Sequence, residues 1–141
     1  MFTNEEIAAI RSSWILMAAN REQAGALFYQ ILFRRAPSLR PLFREGPQVQ
    51  GRKLMDTLAT VVDSVDRIEL IVPVVEELGR RHVDFGARSE HFGIVGAALL
   101  DTLREICGTR FDARSEAAWS KAYAAIAEIM IAATRNTRAG G

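Results

Sequence analysis

The chain has 141 residues, a length typical of one domain and sufficient to bury a real core without disulfide or metal staples. Its 18 basic and 17 acidic residues leave a net charge of +1, which excludes the basic footprint of a nucleic-acid-binding domain. Hydrophobic residues make up 49% of the chain, too many for disorder, and the one cysteine, Cys107, excludes an intrachain disulfide and a cysteine-rich zinc site.

The opening residues carry no basic region followed by an apolar run, so no signal peptide is expected. No apolar stretch reaches the ~18 residues that span a bilayer, and the expectation is a cytoplasmic protein without membrane or nucleic-acid partners. Apolar residues recur at helical spacing along most of the chain. Thr3 with Glu6 forms a capping box that opens a first helix ending near Ala19. A second helix is predicted from about Glu22 to Arg35. Pro37 suits the first turn of a short helix ending near Phe43, and Gly46 with Pro47 breaks the chain. A longer helix follows from about Gln48 to Val65, with Leu54, Leu58, Val61, Val62 and Val65 as its apolar stripe. The next runs from about Val72 to Phe85 and is closed by Gly86. Ser89 caps another, which carries Phe92, Val95, Leu99, Leu103 and Ile106 on one face and ends at Gly108. Asp112 starts the last helix, with Trp119, Tyr123, Ile126 and Met130 inward. No segment alternates with period two long enough to form a strand. The expected fold class is all-α, with six or seven helices in a single domain over residues 1–141.

Three polar residues fall on apolar stripes. His82 follows Leu78 by one turn, on the face that carries Ile71, Val74, Val75 and Phe85, so it is expected to point inward. A buried imidazole needs a partner for each nitrogen. The carbonyl of Leu78 suits one nitrogen; the other is open between an ordinary core hydrogen bond and a metal. Gln50 stands one turn before Leu54, and Tyr29 shares a face with Ala26, Leu32 and Phe33. Each alone fits a helix end or a half-buried position. Together the three fit a ligand pocket with one metal ligand and two hydrogen-bond donors. The phosphate-cradling glycine motifs, H-E-x-x-H and G-x-S-x-G are absent. A zinc site from His82, His91 and Cys107 would need a fortuitous geometry. Glu76 and Glu77 diverge on a helix and read as a solvated face.

Three stretches carry a resemblance. The first runs Leu78-Gly79-Arg80-Arg81-His82-Val83-Asp84-Phe85-Gly86 and continues from His91-Phe92-Gly93 to Leu100. The second is Leu27-Phe28-Tyr29 with Pro37 through Phe43, and the third is Ala118-Trp119-Ser120-Lys121-Ala122-Tyr123. In these the chain resembles the globins, and more narrowly the bacterial single-domain haemoglobins and the haem domain of flavohaemoglobins. The resemblance covers about Asn4 to Thr134, and Gln50 stands 32 positions before His82, as the distal and proximal residues of that family do.

The resemblance implies one haem b with a five-coordinate iron, His82 as the axial ligand and a backbone carbonyl near Leu78 fixing its tautomer. Phe43 would lie against the haem face. Tyr29 and Gln50 would donate hydrogen bonds on the open side, with Leu54 shaping that pocket. Phe85, Phe92, Val95 and Leu99 would line the proximal side, and Arg81 and Lys53 are candidate partners for a propionate or else solvated cations. Lys53 or Tyr29 is also considered as a sixth ligand to the iron, a lysine only after losing its proton.

The chain departs from the flavohaemoglobin pattern around the proximal histidine. That family places a tyrosine and a glutamate there, where this chain has Phe92 and Thr134; Tyr123 remains. The departure weakens the expectation of peroxidase-like or dioxygenase chemistry. The leading expectation is reversible binding of oxygen and other diatomic ligands. The alternatives are a nitric oxide dioxygenase served by an external reductase, since the chain has no room for flavin and nicotinamide domains, and a haem-free helical interaction module.

Overall fold

The computed structural model describes residues 2–43, 45–84 and 91–140, with the backbone alone for Pro47, residues 82–84 and residues 134–140. Helix α1 (Asn4–Ala19) opens on the expected capping box: the Thr3 hydroxyl accepts from the Glu6 N–H at 3.1 Å, and the Glu6 carboxylate accepts from the Thr3 N–H at 2.7 Å. Helix α2 (Arg21–Arg35) follows after one residue, with no loop between. Asn20 makes this junction compact. Its backbone leaves the helical region at φ −120°, ψ 40°, and its side-chain amide donates to the Leu16 carbonyl at 3.1 Å.

Pro37 begins a 3₁₀ helix to Leu42. Helix α3 (Pro47–Asp63) then starts with proline in its first turn, where the missing N–H costs nothing. The predicted stripe runs to Val65, but the α ladder ends at Asp63 and a 3₁₀ helix, Val65–Leu70, takes over with Val65 and Ile68 still buried. Helix α4 (Val72–Asp84) carries His82, and α5 (His91–Cys107) ends at Gly108, whose φ of 58° is the left-handed conformation that favours glycine. The expected stop at Phe85 and Gly86 and the cap at Ser89 lie outside the described residues. Asp112 opens α6 (Ala113–Gly140) by accepting from the Ser115 N–H at 2.9 Å, which holds its carboxyl below the usual range. No strand occurs among the described residues, and no helix among them is long and apolar enough to cross a membrane.

The apolar faces bury into two clusters. The larger joins Ile10 and Met17 of α1, Phe28 and Leu32 of α2, Met55 of α3, Leu99 and Leu103 of α5, and Trp119 of α6. The smaller joins Ile71, Val75 and Met130, with Val61, Leu78, Phe92 and Ile126 around them. This division follows from the packing partners: α3 lies chiefly against α2, whereas α4 lies chiefly against α6.

Both pairings depend on glycine. A Cβ on Gly25 would stand 3.0 Å from the Gly51 Cα, so α2 and α3 cross backbone to backbone. A Cβ on Gly79 would stand 2.7 Å from the Met130 carbonyl oxygen and 2.8 Å from its Cα, so α4 lies directly on the α6 backbone. Gly79→Ala should therefore lower unfolding free energy by about 1–3 kcal/mol through overpacking. Gly93→Ala, in α5 with no atom within 4 Å of the added Cβ, should instead raise it by roughly 0.5–1 kcal/mol through helix propensity. Urea melts of the two variants check both signs.

Candidate functional site

The α2–α3 crossing brings Tyr29 and Gln50 together. Gly25 lies one turn before Tyr29, and Gly51 directly follows Gln50, so the close backbone approach sets both residues on either side of one cavity. The cavity has a volume of about 150 Å³ and is lined by Tyr29, Phe33, Arg40, Phe43, Glu45 and Gln50. It holds several water-sized molecules and is smaller than the roughly 300–1,000 Å³ of a drug-sized ligand pocket.

Its inner wall is aromatic. The Tyr29 ring lies 5.3 Å from Phe43, 4.9 Å from Phe28 and 5.9 Å from Phe33, and Phe33 lies 5.4 Å from Phe43. The rim is charged: Arg40 stands over the Phe33 ring at 5.2 Å, and Glu45 holds the Lys53 ammonium at 2.7 Å.

Of the polar residues that line this cavity, Tyr29 is the most buried. It is 6% exposed, and burial pushes its phenol up to about 12. Its hydroxyl donates to the Gln50 carbonyl at 3.4 Å. That is long for an O–H···O bond, which prefers about 2.7–2.8 Å, so the proton is held loosely and is available to a better-placed acceptor. Burial thus keeps this phenol a hydrogen-bond donor across the neutral range.

The other expected site residues fall in two groups. Phe43, Leu54, Phe92 and Val95 are half-buried, and Leu99 is buried at 4%. Phe92 belongs to the smaller apolar cluster, while Leu54, Val95 and Leu99 belong to the larger. The cationic candidates lie outside the cavity: Lys53 pairs with Glu45, and Arg81, which is exposed, has its Nε 3.6 Å from the Glu77 carboxylate. Phe85 lies outside the described residues, and His82 is described by its backbone in α4. The groups these residues could offer a prosthetic group are thus a loosely satisfied buried phenol, an amide beside it and several half-buried apolar side chains.

His91 and Cys107 sit at opposite ends of α5, about 24 Å apart along a helix of this rise, so they cannot share a zinc ion. Cys107 is buried, with its thiol toward the Ser13 carbonyl at 3.7 Å. No cluster of three metal-ligating residues occurs among the described residues. Sequence reasoning missed Phe33, Arg40 and Glu45 as cavity residues. Phe33 had a signal, one turn after Tyr29; the two charged rim residues had none.

The chain belongs to the globin family, whose sequence profile, Globin, matches residues 26–130. It is 31% identical over 134 residues to a flavohemoprotein of Bacillus cereus, covering 93% of this chain and 33% of that protein. A flavohemoprotein of Vibrio cholerae is 32% identical over 134 residues, covering 93% and 34%. The chain therefore spans about a third of the length of the curated relatives it matches. Among solved structures it is similar to a bacterial globin from Campylobacter jejuni, 27% identical with a TM-score of 0.83, covering 96% of this chain and 99% of that one. An engineered carbene transferase from Rhodothermus marinus, described as a putative nitric oxide dioxygenase, shares the fold at 22% identity and a TM-score of 0.88, covering 99% and 97%.

The buried phenol sets a pH signature. Unfolded, Tyr29 ionises near its ordinary 10.0; folded, it stays protonated to about 12. The stability it contributes as a neutral group is complete below 10 and is lost as pH rises toward 12. Denaturation midpoints measured across this window should fall with pH, and Tyr29→Phe should show a shallower fall. An equally steep fall would place the ionising group elsewhere.

Proposed function

We propose that this globin holds one haem between α3 and α4, with His82 of α4 as the axial ligand, and reversibly binds oxygen or another diatomic ligand beside Tyr29 and Gln50. The single observation that carries the reading is the buried Tyr29 side chain lining a small, largely aromatic cavity together with Gln50. A ferrous haem with one protein ligand supplies an open position for a diatomic gas.

The chain's own contribution is to that ligand's surroundings. The Tyr29 hydroxyl and the Gln50 amide donate to an oxygen atom that gathers negative charge. The Tyr29, Phe33 and Phe43 rings keep bulk water away and so strengthen those bonds. Arg40 and Glu45 keep the rim polar. Arg81 and Lys53 are the cations available to haem propionates, each at the cost of leaving its present carboxylate partner. We read the whole chain, residues 1–141, as one such unit.

The identity with flavohemoproteins favours a second reading, a nitric oxide dioxygenase fed by an external reductase. Phe92 and Thr134 stand where that group of proteins is expected to carry a tyrosine and a glutamate, and Phe92 has no hydroxyl to offer a proximal histidine. Binding is the better reading on that ground. Tyr29→Phe should speed oxygen release in stopped-flow exchange by roughly tenfold or more, the size of one lost hydrogen bond to a charged acceptor. An unchanged rate removes Tyr29 from the role. Sustained nitric oxide consumption with a supplied reductant, above that of free hemin, would move the protein to the enzyme reading.

A further inference from the structure

Among the described residues, the lining of the cavity beside Tyr29 carries one uncancelled charge. Two of its lining residues are ionised, Arg40 and Glu45. The Glu45 carboxylate already accepts from the Lys53 ammonium at 2.7 Å. Arg40 has no carboxylate partner among the described residues. Its guanidinium lies instead over the Phe33 ring, 5.2 Å from the centroid. Phe33 in turn packs against Tyr29 at 5.9 Å and against Phe43 at 5.4 Å, so the guanidinium stands one ring away from the phenol.

These groups sort ligands by charge and size. Arg40 is exposed, on the 3₁₀ helix Pro37–Leu42, whereas Tyr29 is buried. A guanidinium offers donors only, and stacking on a ring leaves its N–H edge free to meet an acceptor. The Tyr29 hydroxyl is a second donor, engaged only by a long bond to the Gln50 carbonyl. A cation is repelled by Arg40, and a neutral gas gains nothing from its charge. An anion of three or four heavy atoms fits a volume of about 150 Å³ and gains from both groups. The carboxylate that would oppose it is neutralised by Lys53.

We propose that Arg40 makes this cavity a site for small inorganic monoanions of the size of nitrite, beyond the neutral diatomic ligands of the reading above. Capture of the anion rests on the lining residues alone. Its passage from there to an iron rests on the haem reading.

Two measurements at neutral pH test the site. The first needs no haem: the chloride NMR linewidth in the presence of the protein. Parent protein is expected to broaden the line, nitrite to reverse part of that broadening, and Arg40→Gln to lose that part. The second compares a charged and a neutral probe on the holoprotein, nitrite binding to the ferric form in stopped flow and carbon monoxide binding to the ferrous form after flash photolysis. Arg40→Gln is expected to slow nitrite roughly fivefold, the factor that corresponds to about 1 kcal/mol of charge attraction near a surface, and to leave carbon monoxide unchanged. Arg40→Lys keeps the charge and is expected to retain most of the nitrite rate. Added salt is expected to slow nitrite and not carbon monoxide. The proposal is overturned by a linewidth equal in parent and Arg40→Gln, by a nitrite rate indifferent to Arg40→Gln or to salt, or by equal changes for both probes. Unfolding of Arg40→Gln, seen by circular dichroism, overturns it too and makes Arg40 a stability residue. A parent that takes up no haem overturns the haem reading, and the chloride measurement then decides the anion site by itself.

Discussion

The backbone crossing of α2 and α3 at Gly25 and Gly51 is the constraint from which the rest of the site follows. A side chain at either position would push the helices apart. Held at this distance, Tyr29 and Gln50 share one cavity, the Tyr29 ring meets Phe43, and the 3₁₀ helix Pro37–Leu42 is drawn across the end of α2. The separation of the two helices is thus fixed by backbone contact, which does not adjust as side chains do.

Burial then decides what the cavity can do chemically. Surrounded by Phe28, Phe33 and Phe43, the Tyr29 phenol keeps its proton far into the alkaline range and has only a long bond to the Gln50 carbonyl. A loosely engaged buried donor is worth more to an incoming charged acceptor than one already satisfied. The exposed pairs Lys53 with Glu45 and Arg81 with Glu77 add little stability at their exposure.

Much of this was legible from residue spacing. The helices follow from apolar periodicity, and the two caps at Thr3 and Asp112 and the stop at Gly108 follow from backbone chemistry that short motifs record well. The inward placement of Tyr29 and its pairing with Gln50 came from polar residues on apolar stripes. The spacing of His82 alone pointed first to a core hydrogen bond and only second to a metal, and the globin resemblance reversed that order. Other features had no local signal. The direct α1–α2 junction depends on the Asn20 amide reaching Leu16, and the 3₁₀ turn after Asp63 keeps Val65 inward, so the apolar stripe looked continuous. The glycine contacts depend on a partner helix distant in sequence, and the rim residues Arg40 and Glu45 look like any solvated charge until the cavity is seen.

The central claim is that His82 holds a haem across from Tyr29. Its most direct test is a hemin titration of the purified protein followed by visible absorption, with His82→Ala alongside. The account expects a saturable one-to-one Soret band in the parent that is lost or displaced in His82→Ala. A parent that binds no hemin, or a His82→Ala spectrum identical to the parent's, would contradict it.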